Sequence, residues 1–203
     1  MTRRVVVTGI GVVCALGGNA REFWSSLTSG ACGIVKRTYA PHDSLALTVP
    51  VAPADAFDQR AESLGRDIAR TDRFTQFAVA AADEALADSG IEIDEGLGLR
   101  TAAIIGTGIG GAVSQDQAYV QMLQSGRRPH PLTILRIIPN APSSHLSIRY
   151  GLKGPAFAVS SACASGAHAF GVAGDIIRSG RAGAALAGAR EAVLSYGPLE
   201  AGR

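Results

Sequence analysis

The stretch AFAVSSACASGAHAFG (residues 156–171) places Cys163 between a short apolar run and a series of small residues. The run AFAVSS predicts a strand over 156–161, and the residues after it predict a helix from about 163 to 178. A free cysteine is among the residue types most often buried in a core. At a strand-to-helix turn, however, backbone N–H groups and the helix dipole favour a thiolate, and the side chain is open to a ligand. Cys163 is therefore either a small core residue or a nucleophile.

The segments around this turn alternate between strand and helix patterns, which predicts an α/β fold. Asn19 and Asp72 are candidate N-caps for two helices that end at glycines, and residues 38–68 have no clear period and predict an irregular segment. Phe23, Trp24 and Leu27 share the predicted apolar face of the first helix. The predicted strands are 4–11, the first part of 101–111, 156–161 and 182–189, and the predicted helices are 19–30, 72–90, 114–123 and about 163–178.

The composition predicts one globular domain over residues 1–203. The chain is 47% hydrophobic and 18% charged with a net charge of +2, and its basic residues form no stripe, so nucleic acid is not an expected partner. No run is long enough to span a membrane. The odd set of Cys14, Cys32 and Cys163 has no metal spacing and fits a reducing cytoplasm. Two arginines before an apolar run resemble a signal peptide, but Val5–Val7 followed by TGIG is better explained as a buried strand and a glycine turn.

A glycine motif after the second predicted strand raises a cofactor hypothesis. GTGIGG satisfies G-x-G-x-x-G at Gly106, Gly108 and Gly111, which would place a dinucleotide pyrophosphate at the next helix. That motif also needs an acidic residue about twenty positions further on, and QSGRRPH (124–130) has none. The sequence therefore favours tight turns at these glycines, with no cofactor, over a Rossmann-type oxidoreductase.

Several blocks of the chain resemble one family. YGLKGPAFAVSSACASGAHAFG (150–171) resembles the active-site segment of the β-ketoacyl-acyl-carrier-protein synthases. RRVVVTGIGVVCALG, TDRFTQFAVAAADEALADSG and GTGIGG resemble other N-terminal blocks of that family, in the same order. The resemblance implies the N-terminal half of a thiolase-like α/β fold, with a mixed sheet and a buried helix that bears the nucleophile.

The resemblance also implies a reaction. Cys163 would accept an acyl group from an acyl carrier protein, and a malonyl thioester would lose CO₂ and attack that acyl group, in fatty-acid or polyketide synthesis. The Cys163 N–H would donate in an oxyanion hole, and Ile109 and Ala162 would lie against the substrate. Chain-length-factor relatives lack the nucleophile, so the cysteine favours a condensing subunit.

The same resemblance implies a dimer. Leu132 and Thr133 would reach toward a partner subunit, and the strand at 156–160 would pair across a two-fold axis. The partner would be a second copy of the chain or a related subunit.

The histidines do not complete this site. The family's site uses two histidines and a lysine from a second half, which this chain lacks. His168 is five residues past Cys163, about 140° around a helix, and is expected to point elsewhere. His42, His130 and His145 are assigned to loops or packing.

We therefore expect that the chain alone does not condense acyl groups, and a non-catalytic subunit or remnant remains the alternative. Without the second half, we also expect an apolar sheet face to be left uncovered, which costs about 25 cal/mol per Å².

Overall fold

A computed structural model of the chain describes residues 3–41 and 45–202, apart from the side chains of Gln59 and Glu62; His42 lies outside the described residues. The strands are β1 (Val35–Tyr39), β2 (Leu47–Val51), β3 (Thr101–Gly106), β4 (Ala156–Val159) and β5 (Ala184–Ala189). The helices are α1 (Ala20–Thr28), α2 (Asp58–Ala61), α3 (Arg66–Ala69), α4 (Arg73–Ser89), α5 (Glu95–Gly98), α6 (Ala112–Ser125), α7 (Thr133–Ile137), α8 (Ala141–Arg149), α9 (Ser165–Arg178) and α10 (Tyr196–Ala201). Short 3₁₀ turns occupy Asp55–Phe57, Glu62–Leu64 and Ala162–Ala164.

A three-stranded parallel sheet forms the centre of the fold, in the order β4-β3-β5. Gly106 at the end of β3 is level with Val159 of β4 and Ala189 of β5, so the three strands end together. All of β3 is buried, and its alternate residues enter two different clusters. Ala103 and Ile105 pack with α4 and α8, whereas Ala102 and Ile104 pack with α9. The described part is thus a helix–sheet–helix sandwich, as the α/β pattern predicts.

The two capped helices form where the sequence predicts them. The Asp72 side chain accepts from Phe74 N at 3.0 Å, and α4 ends at Gly90, whose φ of 63° is the left-handed conformation that glycine tolerates. Asn19 accepts from Glu22 N at 2.9 Å and caps α1. The apolar face predicted for α1 is not buried, however, since Trp24 is 65% exposed. Leu27 on the same face is 47% exposed, and Phe23 is partly buried.

Two predictions about the N-terminal third are wrong. Residues 4–11 have a strand pattern but form no strand, because no strand lies beside them within residues 3–41 and 45–202. Residues 38–68, predicted as irregular, contain β2 and several helical turns, and β2 pairs antiparallel with β1. Pro50 is compatible with that pairing because a two-stranded hairpin consists of edge strands.

The expectation of an uncovered apolar sheet face is also wrong. Both faces of β3 are covered by helices, whereas Phe157 on the edge strand β4 is 38% exposed and Phe170 on the outer face of α9 is 56% exposed. Among the described residues, no helix is both long enough and apolar enough to cross a bilayer.

Candidate active site

Three turns meet where the parallel strands end. Residues 107–111 follow β3, residues 160–164 follow β4 and residues 190–195 follow β5. In open α/β sheets, ligands bind beyond the carboxyl ends of the strands. This end of the sheet carries Cys163 and the glycine motif, two features that the sequence singles out.

Cys163 lies at the middle of the 3₁₀ turn Ala162–Ala164, which connects β4 to α9 through Ser160 and Ser161. The α-helix itself begins at Ser165, two residues later than predicted, because the chain tightens into a 3₁₀ turn first. The cysteine is exposed, as are Ala162 and Ala164 on either side. A sealed core position is therefore excluded for Cys163 in the described structure.

The residue before the cysteine has a strained backbone. Ala162 has φ 50°, and within the described residues it is the one non-glycine residue with positive φ. An L-residue in this region is uncommon, and such strain clusters where surrounding contacts force a functional geometry. The turn's own hydrogen bonds run from Ala164 N to Ser161 O and from Ser165 N to Ala162 O. They leave the Cys163 N–H without an internal acceptor among the described residues.

Ser165 is the residue that holds the strained turn. It is 3% exposed, its hydroxyl donates to Ala162 O at 2.7 Å, and it accepts from Ser161 N at 2.9 Å. The same oxygen is 3.3 Å from Thr107 O, in the turn after β3. One buried hydroxyl therefore connects the cysteine turn to the glycine turn.

Close backbone approach brings these two turns together. A Cβ at Gly106 would lie 2.4 Å from Ser165 O, a distance that no side chain could occupy. Gly110 has φ 84°, which a side chain would also resist. These glycines serve the packing of the corner, as the sequence favours.

Glu191 organises the glycine turn from the end of β5. Its carboxylate accepts from Gly108 N at 2.6 Å and from the Thr107 hydroxyl at 3.1 Å. Thr107 in turn accepts from Gly110 N at 3.0 Å and is 2% exposed. Sequence reasoning missed Thr107, Ser165 and Glu191; the available signal was a polar residue just beyond a strand end.

This carboxylate also bears on the dinucleotide hypothesis. A pyrophosphate bound by the glycine motif would use N–H groups of the 107–111 turn, and Glu191 already occupies one of them at Gly108. A phosphate there would meet a like charge. The geometry therefore favours the structural role of GTGIGG.

The predicted substrate-contact residues lie at the same end of the sheet. Ile109 projects from the glycine turn and is 57% exposed, and Ala162 is exposed beside the cysteine. The backbone at Gly108 approaches Ala162, since a Cβ at Gly108 would be 3.6 Å from Ala162 Cα. Leu132 is 48% exposed just before α7.

None of the described histidines bonds to the cysteine. His168 Nδ1 lies 2.6 Å from the Ser161 hydroxyl, so its ring is directed at the turn two residues before Cys163. The 140° argument does not apply, because Cys163 precedes the regular helix. His130 Nδ1 accepts from Leu132 N at 3.1 Å in a loop. His145 is on α8, and burial lowers its pKa while Asp67 opposes that shift.

Comparison with known proteins adds an independent line of evidence. Residues 2–202 match the family described as "Beta-ketoacyl synthase, N-terminal domain". The chain is 36% identical over 205 residues to Nodulation protein E of Rhizobium leguminosarum bv. trifolii, covering 98% of this chain and 50% of that protein. It is 37% identical over 190 residues to 3-oxoacyl-[acyl-carrier-protein] synthase 2 of Coxiella burnetii, covering 93% of this chain and 46% of that protein.

Solved structures agree on the fold. A type II polyketide synthase ketosynthase in complex with its acyl-carrier protein, bound to the hexaketide, matches with a TM-score of 0.82 at 27% identity, over 99% of this chain and 48% of that one. The ishigamide ketosynthase/chain length factor matches with a TM-score of 0.77 at 27% identity, over 94% and 53%. The chain therefore spans about half the length of the relatives it matches.

Proposed function

Because the chain belongs to the β-ketoacyl synthase family and has the thiolase-like fold of its N-terminal domain, we propose that it supplies the acyl-accepting half of a condensing enzyme. The observation that carries this proposal is the exposed Cys163 on a strained turn at the carboxyl end of a parallel sheet. The substrate would be an acyl thioester, and the carrier would be an acyl carrier protein. One matched relative is a 3-oxoacyl-[acyl-carrier-protein] synthase, and one matched structure is a ketosynthase in complex with an acyl-carrier protein.

The first step would be transfer of the acyl group to the protein. The Cys163 thiolate attacks the thioester carbonyl, the C–S bond to the carrier breaks, and the carrier leaves as a thiol after taking a proton. The carbonyl oxygen becomes negative in the tetrahedral intermediate. The Cys163 N–H, which has no acceptor within the described turn, would donate to that oxygen.

The second step would extend the chain by two carbons. A malonyl thioester loses CO₂, and the resulting carbanion attacks the acyl group on Cys163, which expels the Cys163 thiolate. The histidines described here do not bond to Cys163, so this chain has no described general acid or base for decarboxylation. We therefore propose that the chain alone is catalytically incomplete and that a second polypeptide segment supplies the missing groups.

A dimer through β4 fits the same proposal. The strand order leaves β4 at an edge of the sheet, and Phe157 on it is 38% exposed. An exposed strand edge is a template for pairing with another chain. A second copy of the chain or a related subunit, as in the ketosynthase/chain length factor structure, would add its strand here. The three cysteines are free thiols, which supports a reducing compartment such as the cytoplasm.

Acylation with a small acyl-pantetheine thioester tests the nucleophile, with adduct mass measured on the intact protein. Cys32 is the internal control because it is also an exposed free cysteine. We expect Cys163 to acylate at least tenfold faster than Cys32, and Cys163→Ala to remove the fast adduct while Cys32→Ala keeps it. Equal rates at the two cysteines would support the alternative, a non-catalytic subunit or remnant.

The proposal that the chain alone is catalytically incomplete has its own test. The purified chain is mixed with malonyl- and acyl-loaded carrier protein, and ketoacyl product is measured by mass spectrometry. We expect no product above the Cys163→Ala background. Product formation by the chain alone would refute the need for a second segment.

A further inference from the structure

Ile109 is the middle residue of the glycine turn, which lies beside the cysteine turn. Its side chain is 57% exposed, and its own N–H has no acceptor among the described residues. The preceding Gly108 approaches the cysteine turn in two places. A Cβ on Gly108 would lie 3.6 Å from Ala162 Cα, and its carbonyl accepts from the Ser160 hydroxyl at 3.4 Å. The position of Ile109 near Cys163 therefore depends on how the residues on either side of it are held.

One carboxylate holds both neighbours of Ile109. Glu191 accepts from Gly108 N at 2.6 Å, which fixes the residue before Ile109. Its second oxygen accepts from the Thr107 hydroxyl at 3.1 Å, and that hydroxyl oxygen accepts from Gly110 N at 3.0 Å. Because a hydroxyl donates one hydrogen bond while it accepts another, Thr107 extends the hold of the carboxylate to the residue after Ile109.

The end of the glycine turn is held by a different element. Gly111 N donates to Ile137 O at 3.1 Å, so the last residue of α7 fixes this end of the turn. Glu191 takes no part in that bond. Removal of the carboxylate would therefore release Gly108 and Gly110 but leave Gly111 in place.

A carboxylate suits this task because it offers two acceptor oxygens and no hydrogen. It accepts from two donors at once, and hydrogen bonds to a charged acceptor are stronger than those between neutral groups. Glu191 is in none of the ion pairs found within residues 3–41 and 45–202. Both of its oxygens are thus directed to the glycine turn.

The effect of a held Ile109 would depend on the length of the acyl group on Cys163. A short acyl group ends close to the sulfur, whereas a long one continues past the glycine turn and would bury apolar surface of Ile109. A side chain that must be ordered during binding costs conformational entropy, and one that is already held does not. A fixed Ile109 should therefore favour long acyl groups over short ones.

We propose that Glu191 is a positioning residue that selects for acyl-chain length. It holds Ile109 against the distal part of the acyl group on Cys163. It acts through Gly108 N and the Thr107 hydroxyl, and it does not touch the acyl group itself. This inference rests on the proposed function, because it takes Cys163 as the acyl acceptor and Ile109 as a substrate contact.

Acylation of the chain with a long and a short substrate tests the proposal. The rates with decanoyl-pantetheine and butyryl-pantetheine are measured by intact-protein mass in a Cys32→Ala background, so that the exposed thiol is Cys163. The ratio of the two rates, decanoyl over butyryl, is taken within one variant, so a smaller folded fraction lowers both rates and cancels. We expect Ile109→Ala to lower the ratio about fivefold or more through loss of the apolar contact, and Glu191→Ala about threefold or more through loss of positioning.

Combining the two substitutions shows whether Glu191 acts through Ile109. When two residues act through one contact, the effects of their removal do not add. We expect the variant that carries both Ile109→Ala and Glu191→Ala to have the ratio of Ile109→Ala alone. A further fall equal to the product of the two single effects would overturn the proposal, because Glu191 would then act without Ile109.

Two control variants separate positioning from a general structural role. Glu191→Gln keeps an oxygen that can accept from Gly108 N and places an amide N–H that can donate to Thr107 Oγ1, so the ratio should stay within about twofold of the unaltered chain. Asp175→Ala removes a surface carboxylate that pairs with Arg178 and should also leave the ratio within about twofold. A loss in either control as large as that in Glu191→Ala would overturn the proposal.

Hydrogen exchange of the glycine amides measures the positioning without a substrate. In Glu191→Ala we expect the amides of Gly108 and Gly110 to exchange about fivefold faster or more, and the amide of Gly111, which bonds to Ile137, to change by less than about twofold. Equal acceleration at all three amides would mean that the whole corner opens, and it would overturn the proposal.

The failure of this proposal differs from the failure of the proposed function. Fast acylation of Cys163 with a ratio in Glu191→Ala within about twofold of the unaltered chain would overturn the positioning role and keep the acyl-accepting cysteine. Acylation of Cys163 no faster than that of Cys32 in the unaltered chain would instead remove the proposed function and this proposal together.

Discussion

The corner just past the carboxyl end of β5 and the outer edge of the same strand differ in whether their backbone groups have hydrogen-bond partners. Just past its carboxyl end, Glu191 satisfies the glycine turn, and Ser165 connects that turn to the cysteine turn through buried hydrogen bonds. Along its outer edge, by contrast, the backbone groups of Ala185, Ala187 and Ala189 face away from β3, and no strand of the described residues pairs with them. The glycine turn and the cysteine turn are therefore bonded to each other within the described residues, whereas the outer edge of β5 has no partner strand there.

This difference separates the contacts that hold the cysteine turn from the pairing that the outer edge of β5 lacks among the described residues. Placing an exposed thiol on a strained turn needs local contacts, and residues 101–191 provide them. The outer edge of β5, by contrast, pairs with no strand of the described residues, and none of the described histidines bonds to Cys163. The predictions below therefore probe the corner first and the open edge afterwards.

The largest effect is expected at Gly106, where the two turns touch. Gly106→Ala would place a methyl group 2.4 Å from Ser165 O and push the cysteine turn away from β3. We expect a loss of about 1–3 kcal/mol or more in the free energy of unfolding, with loss of fast Cys163 acylation. Urea unfolding and intact-protein mass measure the two effects.

Gly171 provides the control for that substitution. It lies in α9, and a Cβ there would meet no atom within 4 Å. Gly171→Ala should be neutral or stabilise the chain by up to about 1 kcal/mol, since alanine favours helix. Equal destabilisation by the two variants would show that the corner is not as tightly packed as described.

The next effect concerns the carboxylate of Glu191. Glu191→Ala leaves Gly108 N to water and removes the acceptor of the buried Thr107 hydroxyl, which should cost about 1 kcal/mol because Glu191 itself is exposed. Glu191→Gln keeps one oxygen and should lose less. Asp175→Ala is the comparison, because Asp175 pairs with Arg178 on the surface, where such pairs contribute about 0–1 kcal/mol. Thermal unfolding of the three variants ranks their losses of stability. A loss in Asp175→Ala equal to that in Glu191→Ala would show that Glu191 does not stabilise the glycine turn.

The contrast between corner and edge also explains which parts of the structure the sequence predicts. The order of strand, turn and helix at 156–178 follows from local residue patterns, as do the caps at Asn19 and Asp72. The bond between Glu191 and Thr107 joins residues 84 positions apart, so no local pattern reveals it. The β1–β2 hairpin, whose second strand contains Pro50, also has no clear hydrophobic period that would predict it.

The failure at residues 4–11 has a different cause. Their composition is that of a buried strand, but a strand forms only when a neighbouring backbone bonds to it, and the described residues offer none. The apolar face of α1 and the outer face of α9 are exposed for a comparable reason. Sequence patterns predict what a segment needs, and they do not say whether this chain supplies it.

A smaller effect on stability is expected at Arg190, which follows β5. Its sign is opposite to that expected at Gly106 and Glu191. Arg190→Met removes a buried cation whose Nε and Nη2 have no hydrogen-bond partner among the described residues, and it also removes the cation–π contact of the guanidinium with the Phe77 ring. We expect the chain to gain up to about 1 kcal/mol of stability, because the cost of the two unbonded buried nitrogens exceeds the contact with Phe77. Arg178→Met is the control, because Arg178 is exposed and already paired with Asp175. Destabilisation of the chain alone by Arg190→Met would mean that Arg190 is satisfied without a partner.

The smallest effect is the pH dependence contributed by His145, which lies on α8 and is half-buried. Burial lowers its pKa below the ordinary value of 6.5, and Asp67 only partly opposes this. A lowered folded-state pKa means that the unfolded chain takes up the proton first, so stability is fully present above pH 6.5 and falls as the pH drops below that value. His145→Gln should therefore lose less stability than the unaltered chain between pH 7.5 and pH 5.5 in urea unfolding. His130→Gln, in an exposed loop, should follow the unaltered chain. Equal losses of stability in His145→Gln and in the unaltered chain over this pH range would show that His145 does not contribute to the pH dependence.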